Sequence, residues 1–156
     1  MTRPYSRGSI FIGADHRGFG LKGKIIKFLK SRQLMVIDVG TFSQDPCDYP
    51  LIAFKLGKNV VSSRNGRGIL ICKTGIGDSI AVNKVKGVRA ALCYNAKAAR
   101  LSREHNDSNV LVLGSDFVKE KDAQKIINIW LKTEFQGGRH LRRVNQIRKF
   151  EGRMRT

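Results

Sequence analysis

The residues best suited to chemistry in this chain are a thiol and the glycine turn that follows it, Cys72 and then Lys73-Thr74-Gly75-Ile76-Gly77. Before them, Gly68-Ile69-Leu70-Ile71-Cys72 is a short unbroken apolar run, the pattern of a strand buried on both faces of a parallel sheet. After them, Asp78 to Lys84 continues with helical spacing. Strand, glycine turn and helix in that order place backbone N–H groups at the mouth of a sheet, and those donors with the helix dipole make an anion site. Cys72 borders that site as the last strand residue. A thiol beside clustered amide dipoles is expected to have a lowered pKa and some thiolate character. Such a thiolate could move a proton while the amides hold a developing oxyanion. Taken alone, Cys72 reads as well as a small buried hydrophobe. Gly75-x-Gly77 alone is a fragment of a dinucleotide fingerprint whose third glycine is replaced by Ile80.

Two further groups could join this thiol. Asp15-His16 follows an apolar run, Ser9 to Ala14, and His105-Asn106 sits between a helical segment and a strand. On spacing alone, His16 could cap a helix and His105 could close one, where a cation is favoured.

The elements that must carry these groups alternate. A first strand, Ser9 to Ala14, leads through a turn into a helix whose Leu21, Ile25, Ile26, Phe28 and Leu29 recur at helical spacing, with Lys22, Lys24, Lys27 and Lys30 between them. A second strand spans Leu34 to Val39. A helix opens at Tyr49-Pro50, with proline in its first turn and Ile52, Leu56, Val60 and Val61 as its apolar face. The third strand is the one ending at Cys72. A fourth spans Val88 to Cys93, a short helix Ala96 to Arg103, and a fifth strand Asn109 to Gly114. A long helix from about Glu120 to Phe135 is broken by Gly137-Gly138, and a basic helix closes the chain at about 139–151. This alternation implies one α/β domain over 1–156, a three-layer α/β/α Rossmann-like fold with a five-stranded parallel sheet and a C-terminal helix, its crossovers right-handed. In such sheets ligands bind beyond the carboxyl ends of the strands. Asp15-His16 and Cys72 fall there directly. His105-Asn106, expected on a helix-to-strand loop, must reach the site from elsewhere in the fold or from a second subunit.

Composition narrows the class. The 156 residues are 41% hydrophobic and 27% charged, enough for one packed core and too apolar for a disordered chain. No apolar run nears the ~20 residues of a membrane span, and MTRPYSRGS is not followed by a signal-type core. A cytoplasmic protein is expected. Cys47, Cys72 and Cys93 form no CxxC pair, and with His16, His105 and His140 they show no metal spacing. No disulfide, metal or cofactor is expected. The net charge of +18 invites a nucleic-acid reading, but no zinc-finger, RNP or basic-zipper pattern accompanies it. Its densest stretch is Arg139, Arg142, Arg143, Arg148, Lys149, Arg153 and Arg155. Small anionic ligands are the better account, and nucleic acid is not the expected partner.

Five motifs, in order, resemble one family. They are Gly13-Ala14-Asp15-His16-Arg17-Gly18, Asp48-Tyr49-Pro50, the stretch from Gly68 to Lys84, Leu101 to Asp107, and Gly137-Gly138-Arg139-His140-x-x-Arg143-Val144. The family is the type B ribose-5-phosphate isomerases, whose relatives include allose- and galactose-6-phosphate isomerases. The likeness runs from about residue 9 to 148. It implies an aldose–ketose isomerase of carbohydrate metabolism, interconverting D-ribose 5-phosphate and D-ribulose 5-phosphate in the non-oxidative pentose phosphate pathway. A hexose-6-phosphate isomerase of the same mechanism is the near alternative, and a basic nucleic-acid-binding protein with a degenerate site the distant one. By this resemblance Cys72 moves a proton between C1 and C2 through a cis-enediolate. Amides of Lys73, Thr74, Gly75, Ile76 and Gly77 stabilise its oxygen, and His105 opens the sugar ring with Thr74 assisting. Asp15 and Asn106 hold hydroxyls, Tyr49 lines the pocket, and His16, Arg139 and Arg143 take the phosphate. The resemblance implies no metal or cofactor, and a homodimer or tetramer with shared active sites. Two positions depart from the pattern. Lys73 stands where glycine is usual, and Ser115-Asp116 follows the fifth strand where an arginine is often found. Lys73 would cost about 1 kcal/mol if its φ had to be positive.

Overall fold

The computed structural model describes residues 8–154. The first seven residues, which open the stretch read above for a signal-type core, and Arg155 of the basic tail lie outside the described residues. Five strands, β1 (Ile10–Ala14), β2 (Val36–Asp38), β3 (Arg67–Cys72), β4 (Ala90–Leu92) and β5 (Val110–Gly114), form one parallel sheet in the order β2-β1-β3-β5-β4. The helices are α1 (Phe19–Ser31), α2 (Tyr49–Ser62), α3 (Ile76–Val82), α4 (Ala96–Asn106), α5 (Glu120–Lys132) and α6 (Arg139–Arg153). The expected α/β/α architecture and five-stranded parallel sheet are therefore present.

Two apolar layers sandwich the sheet, and the alternation of side chains along each strand sorts them. Ile10, Ile12, Ile69, Ile71, Leu111 and Leu113 point to one face, against Ile25 and Leu29 of α1 and Ile126, Ile127 and Trp130 of α5. Phe11, Leu70, Val110 and Val112 point to the other, against Ala53, Leu56 and Val60 of α2 and Ala81 and Val82 of α3. By the same period, Cys72 shares the face of Leu70, the one that α2 and α3 cover.

Several expected boundaries shift. Both edge strands are shorter than their apolar runs. Met35 and Ile37 are exposed, so hydrophobicity there exceeds what pairing on one side organises. On α2, Val61 faces outward while Ala53, Leu56, Gly57 and Val60 are buried. Helix α3 begins at Ile76, two residues before the expected Asp78, and α5 stops at Lys132 rather than Phe135. Helix α4 runs to Asn106, so His105 and Asn106 lie in its last turn instead of a loop. Asp107, left-handed at φ 48°, closes it. Helix α6 runs two residues past the expected end.

Lys22 departs furthest from expectation. It belongs to the buried face of α1, since Lys22, Ile25 and Leu29 are spaced by three and four residues. Its ammonium is 2% exposed, donates to Asp38 Oδ1 at 2.7 Å, and also meets the Thr41 carbonyl oxygen. Asp38 in turn accepts the Gly40 N–H at 3.0 Å. This pair ties the exit of β2 to α1. Removing one partner of a buried ion pair leaves a desolvated charge. Asp38→Ala should lower the unfolding free energy by about 2–4 kcal/mol in urea titrations followed by circular dichroism. Lys24→Ala, whose exposed ammonium meets Glu120 at 3.3 Å, should stay within about 0.5 kcal/mol of the parent.

Candidate active site

Three strand ends converge at the carboxyl edge of the sheet. Asp15 follows β1 directly, is buried, and accepts the N–H groups of Arg17 and Gly18 on Oδ1, each at 2.9 Å. This closes the turn into α1. Gly18 must be glycine, because a Cβ there would sit 2.1 Å from the Ile71 carbonyl oxygen. His16 stands beside it, its Nδ1 accepting the Cys47 N–H at 3.3 Å. It does not cap α1, whose N-cap is Gly18.

Cys72 ends β3 opposite Gly114 of β5. The chain leaving β5 clamps the turn after it, with the Ser115 N–H on the Cys72 carbonyl at 2.8 Å and the Asp116 N–H on that of Lys73 at 2.9 Å. Gly75 takes the left-handed conformation, at φ 81°, that starts α3. Lys73 is not among the described residues with positive φ, so its side chain replaces a usual glycine without strain. Its ammonium lies 4.0 Å from Asp116, so the two departures from the pattern face each other. Tyr49, the first residue of α2, packs its ring on Gly77, where a Cβ would lie 2.5 Å away. Thr74 accepts the Ile76 N–H on its hydroxyl at 3.2 Å and the Tyr94 hydroxyl on its carbonyl at 3.1 Å.

The electrostatics of the thiol differ from the expectation of a lowered pKa. Gly75 N–H does donate to Cys72 Sγ, at 3.1 Å, and Asp78 N–H favours the thiolate in the same way. Burial outweighs both, and the Asp78 carboxylate adds to it, so the thiol is pushed up to about 11. Desolvation of a nearly buried sulfur beside an anion exceeds what two amide dipoles return. Asp78 is the residue that the sequence reading missed. It is 1% exposed, on the buried side of α3 with Ala81 and Val82, and burial raises its carboxyl to about 7. The three-residue step from Asp78 to Ala81 was the available signal.

The remaining expected residues lie elsewhere. Helix α4 returns from the carboxyl edge to the amino edge, where β5 begins. His105 and Asn106 end up there, Asn106 O accepting from Arg89 just before β4 at 3.1 Å. Four residue steps of β5 alone cover about 13 Å, so His105 and Cys72 of one chain sit at opposite rims. Buried Arg103 fixes the last turn of α4, donating to Asp107 Oδ1 at 2.8 Å and to Thr133 O at 3.2 Å. His105 stacks on buried His140 of α6, ring centroids 4.2 Å apart and planes 11° from parallel. Burial, then the neighbouring His105 and Arg139, hold His140 below the usual histidine pKa. Helix α6 continues across the amino rim to Glu151, which accepts the Gly87 N–H at 3.3 Å. Arg139 and Arg143 are exposed on that helix. The structure thus divides the expected residues into two clusters. One holds Asp15, His16, Tyr49 and Cys72 to Gly77, the other His105, Asn106, Arg139 and Arg143. Among the described residues no cluster of three or more His, Cys, Asp or Glu could hold a metal ion.

Known proteins share this fold. The profile of a family described as Ribose/Galactose Isomerase matches residues 10–147. A protein of Escherichia coli named ribose-5-phosphate isomerase B is 45% identical over 144 residues, covering 92% of this chain and 97% of that protein. A probable ribose-5-phosphate isomerase B of Mycoplasma pneumoniae is 46% identical over 143 residues, covering 91% of this chain and 94% of its own length. Among solved structures, ribose-5-phosphate isomerase B of Mycoplasma genitalium with bound ribulose-5-phosphate superposes with a TM-score of 0.89 at 44% identity. That superposition covers 94% of this chain and 97% of the other. The Clostridium thermocellum enzyme gives 0.88 at 49% identity, covering 92% and 97%.

The raised carboxyl of Asp78 makes stability depend on pH. Its folded pKa of about 7 lies above the 3.8 of the unfolded chain, so the fold favours the neutral acid. The penalty is absent below about pH 4, grows as pH rises, and is complete above about pH 7. Asp78→Asn should therefore melt at a higher temperature than the parent at pH 8. Scanning calorimetry should show that gap reduced by more than half at pH 5.

Proposed function

The chain belongs to the ribose/galactose isomerase family, and from that membership and the site's geometry we infer that it interconverts D-ribose 5-phosphate and D-ribulose 5-phosphate. The observation that carries the reading is a thiol at the end of a central strand, under a glycine turn, in a chain similar over nine-tenths of its length to proteins of that name. The reaction needs one group to take a proton from carbon and a polar cradle for the oxygen beside it. Cys72 takes the C2 proton of the open-chain aldose and returns it at C1, through a cis-enediolate. Amides from Lys73 to Gly77 face the enediolate oxygen. Gly75 and Asp78 N–H hold the sulfur as well, so the turn serves base and oxyanion together. Asp15 keeps Oδ1 on its own turn and offers Oδ2 to a sugar hydroxyl, and the Tyr49 ring walls the pocket over Gly77.

The second cluster completes the site from another copy of the chain. One protomer holds Cys72 and His105 at opposite rims, so neither rim alone can open the ring and move the proton. Two copies related by a two-fold axis would bring each carboxyl rim to the partner's amino rim and make two equivalent sites. Exposed apolar side chains flank both clusters, Leu51, Ile76 and Ile80 on one side and Leu141, Ile147 and Phe150 along α6 on the other. A homodimer, or a tetramer built from it, is the assembly that this favours. His105 then donates the ring-opening proton with Thr74 assisting, Asn106 holds a hydroxyl, and His16, Arg139 and Arg143 hold the phosphate. The net charge of +18 draws anionic substrates toward such a cleft. Three free cysteines suit a reducing cytoplasm, and no helix of the described residues is long and apolar enough to cross a membrane. The reaction would belong to the non-oxidative pentose phosphate pathway.

Purified protein should isomerise ribose 5-phosphate in the presence of chelator, faster than allose or galactose 6-phosphate. Cys72→Ala should lose at least ~100-fold in kcat, with substrate affinity little changed by isothermal titration. Retained turnover in that variant would remove Cys72 from the chemistry. Mixing inactive Cys72→Ala with inactive His105→Asn, then unfolding and refolding together, should restore roughly a quarter of parental activity. Half the dimers are then mixed, and each has one intact site. No recovery would place both residues in sites that a single chain completes.

A further inference from the structure

The carboxyl of Asp78 has no part in the scheme above, yet it is the most completely buried acid near the reacting sulfur. Its Oδ2 is buried without a hydrogen-bond partner. Its carboxyl lies close enough to Cys72 for its charge to oppose the thiolate and for the thiol to favour the carboxyl's own ionised form, while its backbone N–H favours the sulfur anion. Burying an acid without an opposite charge is costly, and nothing in the packing of α3 requires one there. The ionisable groups around the pair are Asp15 at the end of β1, the Tyr49 phenol from α2, Tyr94 beyond β4, and Lys73 with Asp116 at the ends of β3 and β5. Lys73 turns to Asp116 rather than to Asp78, and Asp15, itself an acid, adds to the repulsion, so no cation among these groups neutralises Asp78.

We propose that Cys72 and Asp78 are a proton-sharing pair, in which Asp78 takes the thiol proton and stores it while the sulfur works on the sugar. The inference rests on the isomerase reading for its chemistry, and on burial and contact for the pair itself. The pair enters the reaction with one proton and one negative charge. The S–H bond breaks, an O–H bond forms on Asp78, and a thiolate remains beside a neutral acid. The thiolate then takes the C2 proton, forming S–H as the C–H electrons become the enediolate. The O2–H proton passes to O1 across the cis-enediolate, the proton on sulfur returns to C1, and the thiolate recovers its first proton from Asp78. No charge or proton is left over, and no other reactant is needed. Asp78 does not reach the substrate, so it is a positioning residue for the proton rather than a catalytic one. A raised thiol pKa would by itself make Cys72 a poor neutral-pH base. An adjacent acid titrating near 7 lets the pair ionise there as a unit.

Asp78→Asn keeps shape and removes the store. In the parent, kcat/KM for ribose 5-phosphate should rise through an ascending limb near neutral pH. In Asp78→Asn that limb should move at least one pH unit upward, with kcat down at least tenfold at pH 7, KM within about threefold, and the deficit shrinking as pH rises. An equal loss at every pH would mean a structural role only, and a gain at neutral pH would mean mere repulsion of the thiolate. Either result overturns the pair. A second readout needs no turnover. In protein labelled with carboxyl 13C aspartate, the Asp78 signal should titrate near neutrality, and Cys72→Ala, which removes the thiol donor, should move its midpoint upward. An unmoved midpoint overturns the pair even if the isomerase assay succeeds. An inactive parent with a shifted midpoint would instead remove the substrate and leave the pair standing.

Discussion

Everything at the carboxyl rim depends on backbones approaching closer than side chains allow. The turn after β1 presses on β3 at Ile71 through Gly18, and the end of β5 presses on the Thr74 carbonyl through Gly114, where a Cβ would lie 2.4 Å away. With those two contacts made, Cys72 is flanked on both sides by main chain. Gly75 can then reverse direction and bring α3 over the sulfur. A methyl group at Gly18 or Gly114 would push a whole turn outward and open the site to water, which explains why the chemistry is concentrated where the chain carries least side-chain bulk.

That crowding sets the balance of forces on the sulfur. The same compaction that delivers two N–H groups to Cys72 strips it of water and sets Asp78 beside it. Amide dipoles favour the anion, while lost hydration and a nearby carboxylate oppose it, and the opposition prevails. A chain built only to hold a thiolate would place a cation there. This one places its adjacent cation, Lys73, against Asp116 at the solvent edge.

Much of this was legible in the sequence, for reasons that differ between elements. Strands β1, β3 and β5 are buried on both faces, so their apolar runs match their observed ends to within one residue. The edge strands pair on one side only, and their apolar flanks at Met35 and Ile37 remain in solvent. The glycine turn announced the site because turn geometry is local chemistry. The protonation of Cys72 was not legible, because it depends on an acid six residues away whose burial only the packing of α3 reveals. The polar run from Glu104 to Asp107 has the composition of a breaker, which puts His105 in a loop. Asp107 instead ends the helix by entering the left-handed region after Asn106. Residue type puts Lys22 with the other lysines between the apolar positions of α1, whereas its spacing from Ile25 and Leu29 puts it inside.

One buried contact gives the molecule a reporter of its own. Trp130, the chain's single tryptophan, is fully buried and donates its indole N–H to Ser108 Oγ at 2.8 Å, and that oxygen lies 2.8 Å from Ser102 Oγ. The Arg67 guanidinium lies 5.0 Å from the centre of the ring. These partners come from the start of β3, the last turns of α4 and the entry to β5, the corner of the fold that carries His105. Tryptophan fluorescence, excited selectively over the tyrosines, therefore comes from one chromophore in one polar niche, and its emission follows the integrity of that corner without any label.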